Sequence, residues 1–359
     1  MGKGGGTPGG KGIGKLVIRA DAGVQQGTGH VMRCLALAQA WMDRGGEVTF
    51  IASELPESLA RRLTSEGIEI VRLSALPGSA EDARQTAEHA RERGAEWVVV
   101  DGYRFNYEFQ RKLRDRGCKV LLVDDYGQAG ACCAEVILDQ NLQTDETFYQ
   151  PREPNTRTLL GTRYALLRRE FSRGGGRRDV AAVGRKVLVT LGGSDPDNFS
   201  LRVLEGLQQV RVKGLELTVV VGSTNPHVES LGSAVSRFGN AGRMLFDVPD
   251  MTESMAWADM AVIAAGGTLW ELLCRGCPVL SYARNSVQAR VISELGRQGI
   301  VRDMGTVDLF SAEGLAPAIE TLAESPDERR RMSLAGQTLV DGGGARQVCR
   351  ALLTNQVEA

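Results

Sequence analysis

From Leu16 onward, short apolar runs alternate with amphipathic stretches. Residues 16–19 predict a first strand, followed by a glycine-bearing loop and a helix over about 30–44. In that helix Val31, Leu35, Ala38 and Met42 recur at spacings of four, three and four, which makes one buried stripe. Further strands are predicted at 48–52, 68–73, 97–100 and 120–123. Helices are predicted through 59–65 and 80–93, and another ends at 113–116. Strand, helix, strand at this pitch means a parallel sheet with helices on both faces.

The stretch 172–185, SRGGGRRDVAAVGR, breaks the pattern and reads as a linker or exposed loop. The pattern then restarts. Strands are predicted at 186–191, 217–221, 244–246, 260–264 and 278–282. Helices are predicted near 198–209, 268–275, 287–298 and 314–323, before an arginine-rich tail helix. Each half opens with strand, glycine-containing loop and helix. We therefore expect two doubly wound, Rossmann-like units, 15–171 and 186–359, facing each other across a cleft, with the last helix free to pack back on the first unit.

Composition changes this picture little. The 359 residues suit two domains of about 150 to 180 each. Lysine and arginine (43) nearly cancel aspartate and glutamate (44), so no basic surplus points to nucleic acid. No run reaches the roughly 18 to 20 apolar residues of a membrane span, and we expect a cytoplasmic monomer with no cofactor and no membrane insertion. Residues 1–14 hold eight glycines and are expected to form a disordered leader. Gly5 to Lys11 mimics a phosphate loop, but Gly12 stands where serine or threonine should hold magnesium, and no strand precedes it. Seven cysteines without a secretory signal imply reduced thiols, and Cys274 and Cys277 are expected to pack rather than act in redox chemistry. The three histidines have no metal-ligand spacing.

Candidate chemistry lies in the loops that follow strands. Gln26-Gly27-Thr28-Gly29-His30-Val31-Met32-Arg33 starts like a dinucleotide fingerprint, but Met32 replaces the third glycine, so a dinucleotide is not expected. Gly27 and Gly29 allow a tight turn and close approach to a ligand. His30 stands in the first turn of a helix, whose dipole favours the neutral imidazole a general base requires, and Arg33 is one turn further on. Tyr103, after the strand 97–100 and Asp101, is expected in the cleft. Asp124 and Asp125 are expected only to cap and turn the chain. In the second half, Gly193, Ser194 and Asp195 end a strand and could cradle a phosphate, with Pro196 in the first helical turn. Gly266, Gly267 and Thr268 at a helix start suit a diphosphate, and Glu271 one turn in could accept ribose hydroxyls. Asn285 and Gln288 border the same region.

The segments RADAGVQQGTGHVMRCLALA, VVDGY, LDQNL, LLGTRYALLRREF, VTLGGSDPDN, VVVGSTNPH and AAGGTLWELLCRGCPV together resemble a known family, over about 15–299. This is the pseudaminic-acid-pathway family of UDP-2,4-diacetamido-2,4,6-trideoxy-β-L-altropyranose hydrolases, which is related to the GT-B N-acetylglucosaminyltransferase of peptidoglycan synthesis. The resemblance implies a GT-B fold and metal-independent, inverting removal of UDP from the anomeric carbon. By it, His30 activates the attacking water, Tyr103 lies near the reacting sugar, and Gly266, Gly267, Thr268 and Glu271 bind UDP, with Asn285 and Gln288 as further matches. The loop 23–26 and the insertion 172–185 depart from the family pattern. A GT-B transferase passing the sugar to an acceptor, and a non-catalytic nucleotide-sugar-binding protein, are the alternatives.

Overall fold

The computed structural model describes residues 13–23, 27–142, 144–172 and 176–354. Residues 1–12 of the glycine-rich leader, with its phosphate-loop mimic, lie outside these, whereas Gly14, expected in the disordered leader, accepts at its carbonyl from the Glu47 amide and from Trp41 Nε1 at 3.1 Å each. The first sheet has seven strands: β1 (Lys15–Ala20), β2 (Glu47–Ala52), β3 (Glu69–Arg72), β4 (Trp97–Asp101), β5 (Lys119–Val123), β6 (Val136–Asp139) and β7 (Arg157–Leu160). Their order is β3-β2-β1-β4-β5-β6-β7, and all pairs are parallel. The second has six: β8 (Lys186–Thr190), β9 (Glu216–Val221), β10 (Gly242–Phe246), β11 (Met260–Ala264), β12 (Val279–Ala283) and β13 (Arg302–Thr306). Their order is β10-β9-β8-β11-β12-β13, again all parallel.

Both faces of each sheet are covered, as parallel strands require. Along β1, Leu16, Ile18 and Ala20 enter one apolar cluster and Val17 the opposite one. Along β8, Leu188 faces one cluster while Val187 and Val189 face another. This alternation follows the two-residue period of a strand.

The helix Gly29–Met42 is buried well beyond its predicted stripe, with Ala36, Leu37 and Gln39 also enclosed. The reason lies at the far end of the chain. Helix Gly344–Leu353 returns to the first lobe, where Val348, Cys349 and Leu352 join the cluster that holds Leu35 and Leu37. Arg157 ties its end down by donating to the Ala351 carbonyl at 3.0 Å. At the return point only glycine fits: a Cβ on Gly344 would lie 2.3 Å from the Ala165 carbonyl oxygen.

Strands β6, β7 and β13 are additional to the sequence expectation. The first two are only four residues long, and β13 reads RDMGT, without an apolar run. The described part of the arginine-rich insertion is laced to the second lobe. Arg178 donates to the Met255 carbonyl at 3.0 Å, and Gly184 N–H to the Ala323 carbonyl at 2.9 Å.

Candidate active site

In doubly wound sheets, ligand sites form beyond the strand ends where the order reverses. The first sheet reverses between β1 and β4, the second between β8 and β11. The glycine loops found in the sequence stand at these two places.

At the first reversal, β1 and β4 pair so that Ala20 lies beside Asp101. The helix after β1 opens at Gly29, with Gly27 in the left-handed region at φ +72°. His30 is buried, and its Nδ1 lies 2.7 Å from Asp101 Oδ1. Asp101 is fully buried. Burial pushes its carboxyl up, but Arg33 and His30 outweigh that and hold it far below the usual carboxylate range. A carboxylate only accepts, so Nδ1 must donate, and in the neutral ring this places the lone pair on Nε2. The Tyr103 ring meets the His30 ring edge-on, with centroids 5.0 Å apart, and is 61% exposed beside it.

Arg33, expected to contact substrate, is engaged with two carboxylates of its own lobe. Its guanidinium donates from Nε to Asp101 Oδ2 (2.6 Å), from Nη2 to Asp101 Oδ1 (2.7 Å), and from Nη1 to both oxygens of Asp125 (3.0 Å each). With its donors spent on two carboxylates, it braces the histidine site instead. Asp125 is likewise more than a turn former, since it also accepts from Asn141 Nδ2 at 2.7 Å. Its neighbour Asp124 turns away to accept from the Ala129 amide at 3.0 Å.

At the second reversal, the loop after β8 carries Gly192 at φ +100°. A Cβ on Gly193 would stand 3.2 Å from Thr28 Oγ1, so the glycine loops of the two lobes abut there. Ser58 and Ser223 add a cross-lobe hydroxyl pair at 3.1 Å. Ser194 is half-buried in this loop. Asp195, expected to contact ligand, is buried. Its carboxylate accepts from the Phe199 and Ser200 amides at 3.1 and 2.8 Å and pairs with Arg284. These bonds shape the loop. Pro196 precedes the helix Phe199–Leu207, whose N-cap is Asn198.

Beside this loop, helix Gly267–Cys274 begins after β11 with Gly266 as its N-cap. No side chain caps it and no acid stands in its first turn. Gly266 and Gly267 are exposed, with open space where a Cβ would be, and Thr268 is half-buried. The first amides of such a helix have no partner within the helix and carry the positive end of its dipole. Glu271 pairs through Oε1 with Arg168 Nη2 at 3.0 Å. Asn285 and Gln288 serve the next helix: Asn285 Oδ1 caps the Gln288 amide (2.9 Å) and Gln288 Oε1 accepts from the Arg284 amide (2.8 Å). Their amide NH2 groups make none of these bonds.

Asp101, Asp125, Asn141, Arg168 and Arg284 were not found as site residues from sequence. Three of them lie in the segments that carry the resemblance: Asp101 in VVDGY, Asn141 in LDQNL and Arg168 in LLGTRYALLRREF. All seven cysteines are free and buried, so Cys274 and Cys277 pack as expected. Among the described residues no helix is long and apolar enough to cross a membrane.

The architecture has many solved counterparts. Acinetobacter baumannii MurG superposes with a TM-score of 0.63 at 15% identity, covering 96% of this chain and 99% of that one. The fold is GT-B. Anabaena Alr3699/HepE, solved with UDP and glucose, gives a TM-score of 0.60 at 14% identity over 95% of this chain and 99% of its own. In sequence, the chain is 25% identical over 337 residues to the spore coat polysaccharide biosynthesis protein SpsG of Bacillus subtilis, covering 93% of this chain and 96% of that protein. It is 23% identical over 275 residues to the UDP-2,4-diacetamido-2,4,6-trideoxy-β-L-altropyranose hydrolase of Campylobacter jejuni, covering 76% and 93%. The resemblance drawn from the sequence motifs is thus found again across most of the chain. No family model matches.

Proposed function

We propose that the protein hydrolyses a UDP-linked diacetamido-trideoxy sugar at its anomeric carbon with inversion, as a step in making a nonulosonic acid of the pseudaminic type. The observation that carries this is the His30–Asp101 pair: an imidazole with Nδ1 held by a buried carboxylate and Nε2 free, at the reversal point of one lobe, next to the loops of the other.

In this scheme Nε2 of His30 takes a proton from a water that attacks C1 of the sugar. The bond from C1 to the β-phosphate oxygen breaks, and its electron pair leaves with UDP. Asp101 stabilises the imidazolium that forms. The negative charge growing on the diphosphate meets the open amides of Gly267 and Thr268, while Glu271 accepts from the ribose hydroxyls. Gly193 and Ser194 border the phosphates; Gly27, Gly29 and Tyr103 border the sugar. One displacement from the opposite face inverts the anomeric centre, by the same logic as in inverting glycosidases.

The deciding experiment is UDP release by the purified protein from UDP-diacetamido-sugars, with the product anomer followed by NMR. We expect release without any acceptor, an inverted product, and no inhibition by EDTA. Release that requires an acceptor would instead make it a transferase. No release from any UDP-sugar would leave a nucleotide-sugar-binding protein.

A further inference from the structure

The counter-charge behind the histidine extends one layer deeper than Asp101. His30 Nδ1 faces Asp101 Oδ1 at 2.7 Å, but Arg33 Nη2 also approaches that nitrogen to 3.3 Å and shares the same carboxylate oxygen. Arg33 and Asp101 together are neutral, so on their own they do little to favour a positive imidazole. The remaining guanidinium nitrogen, Nη1, is held by both oxygens of Asp125. Asp125 is fixed in turn by Asn141, whose Nδ2 also donates to Asp139 Oδ1 at 2.9 Å. The other groups around the ring are the Tyr103 edge and Cys34, whose thiol donates to Asp101 Oδ2 at 3.4 Å. Asp124 flanks Asp125 at the end of β5.

We propose that Asp125 is a positioning residue for His30, acting through Arg33 as the counter-charge that leaves Asp101 negative toward the imidazole. This rests on His30 being the base. With Asp125 present the cluster of Asp101, Arg33 and Asp125 carries one net negative charge, which favours the imidazolium formed as the proton moves. Without it, Arg33 is balanced only by Asp101. Asp125 touches neither water nor sugar in this scheme. Its removal should therefore slow the proton-transfer step and leave nucleotide binding alone.

The test compares Asp125→Asn with wild type. Asparagine keeps the size and the acceptor for Asn141 and Arg33. We expect kcat to fall about tenfold while the Kd for UDP stays within about twofold, and the acid limb of the pH–rate profile to move to lower pH by about one unit. Arg33→Gln in the Asp125→Asn background restores one net negative charge, and the limb should move back toward wild type. The same order should appear in the NMR titration of the His30 ring in the free protein, where three histidines make assignment by a His30→Ala spectrum straightforward. An unmoved ring titration in Asp125→Asn, or a loss of UDP affinity matching the loss of turnover, overturns the proposal. If the ring titration shifts as expected but His30→Ala retains turnover, the base assignment fails while the electrostatic coupling stands.

Discussion

At the β1–β4 reversal the first lobe fills its site with side chains: His30, Arg33 and Asp101 are tied together by bonds of 2.6 to 2.7 Å, and Asp125 and Asn141 brace them from behind. At the β8–β11 reversal the second lobe does the opposite. Its loops present Gly192, Gly193, Gly266 and Gly267, and its helix start is open. Under the proposed function, the same topological position serves two tasks. A group that must take up a proton needs its orientation and charge fixed beforehand, which only packed side chains provide. A diphosphate needs many weak donors at close range, which bare backbone amides at a helix start provide.

The largest effect should come from the first lobe. His30→Ala is expected to lower kcat by about a hundred- to ten-thousand-fold while UDP affinity, measured by calorimetry, stays near wild type. Equal losses in both would mean that the lobes do not divide the work. Glu271→Ala should do the reverse, raising the Kd for UDP by about tenfold with a smaller change in kcat, because it removes a charged acceptor and leaves Arg168 without its partner. Unchanged UDP affinity would remove Glu271 from the binding site.

The smallest effect concerns stability and should appear only in the first lobe. Burial, with Asp125 nearby, pushes the Asp124 carboxyl up to about 6. Unfolded, it titrates near 3.9. The folded state therefore holds this proton more tightly, and stability falls as pH rises from about 4 to about 6. Asp124→Asn should raise unfolding free energy at pH 7.5 by on the order of 1 to 2 kcal/mol, with no gain below about pH 4. Urea unfolding at the two pH values checks it. A gain independent of pH would mean that packing, not charge, decides.

Some of this was legible along the chain and some was not. The strand and glycine-loop repeats marked both reversal points because periodicity and turn chemistry are local properties, read within a dozen residues. His30 and the Gly266–Thr268 helix start stood out for the same reason. The carboxylate partners of Arg33 were not legible because Asp101 and Asp125 lie 68 and 92 residues away in sequence. Asp195 was expected at a ligand; its hold on the Phe199 and Ser200 amides is local, four and five residues on, but its tie to Arg284 exists only because β11 brings the end of β12 near the end of β8. Strands β6 and β7 had too few residues to show a period; β6 is a strand because β5 offers it an edge, and β7 because β6 does.

By itself, then, the sequence determined two parallel-sheet lobes, the glycine loops at their strand ends, and a histidine at a helix start. Tertiary structure alone decided which carboxylates surround that histidine, which arginines are used up as braces, and that the last helix closes over the first. Local pattern sets which residues stand at a strand's end. Strand order sets what they meet there, because neighbours in a parallel sheet are separated by whole crossover connections.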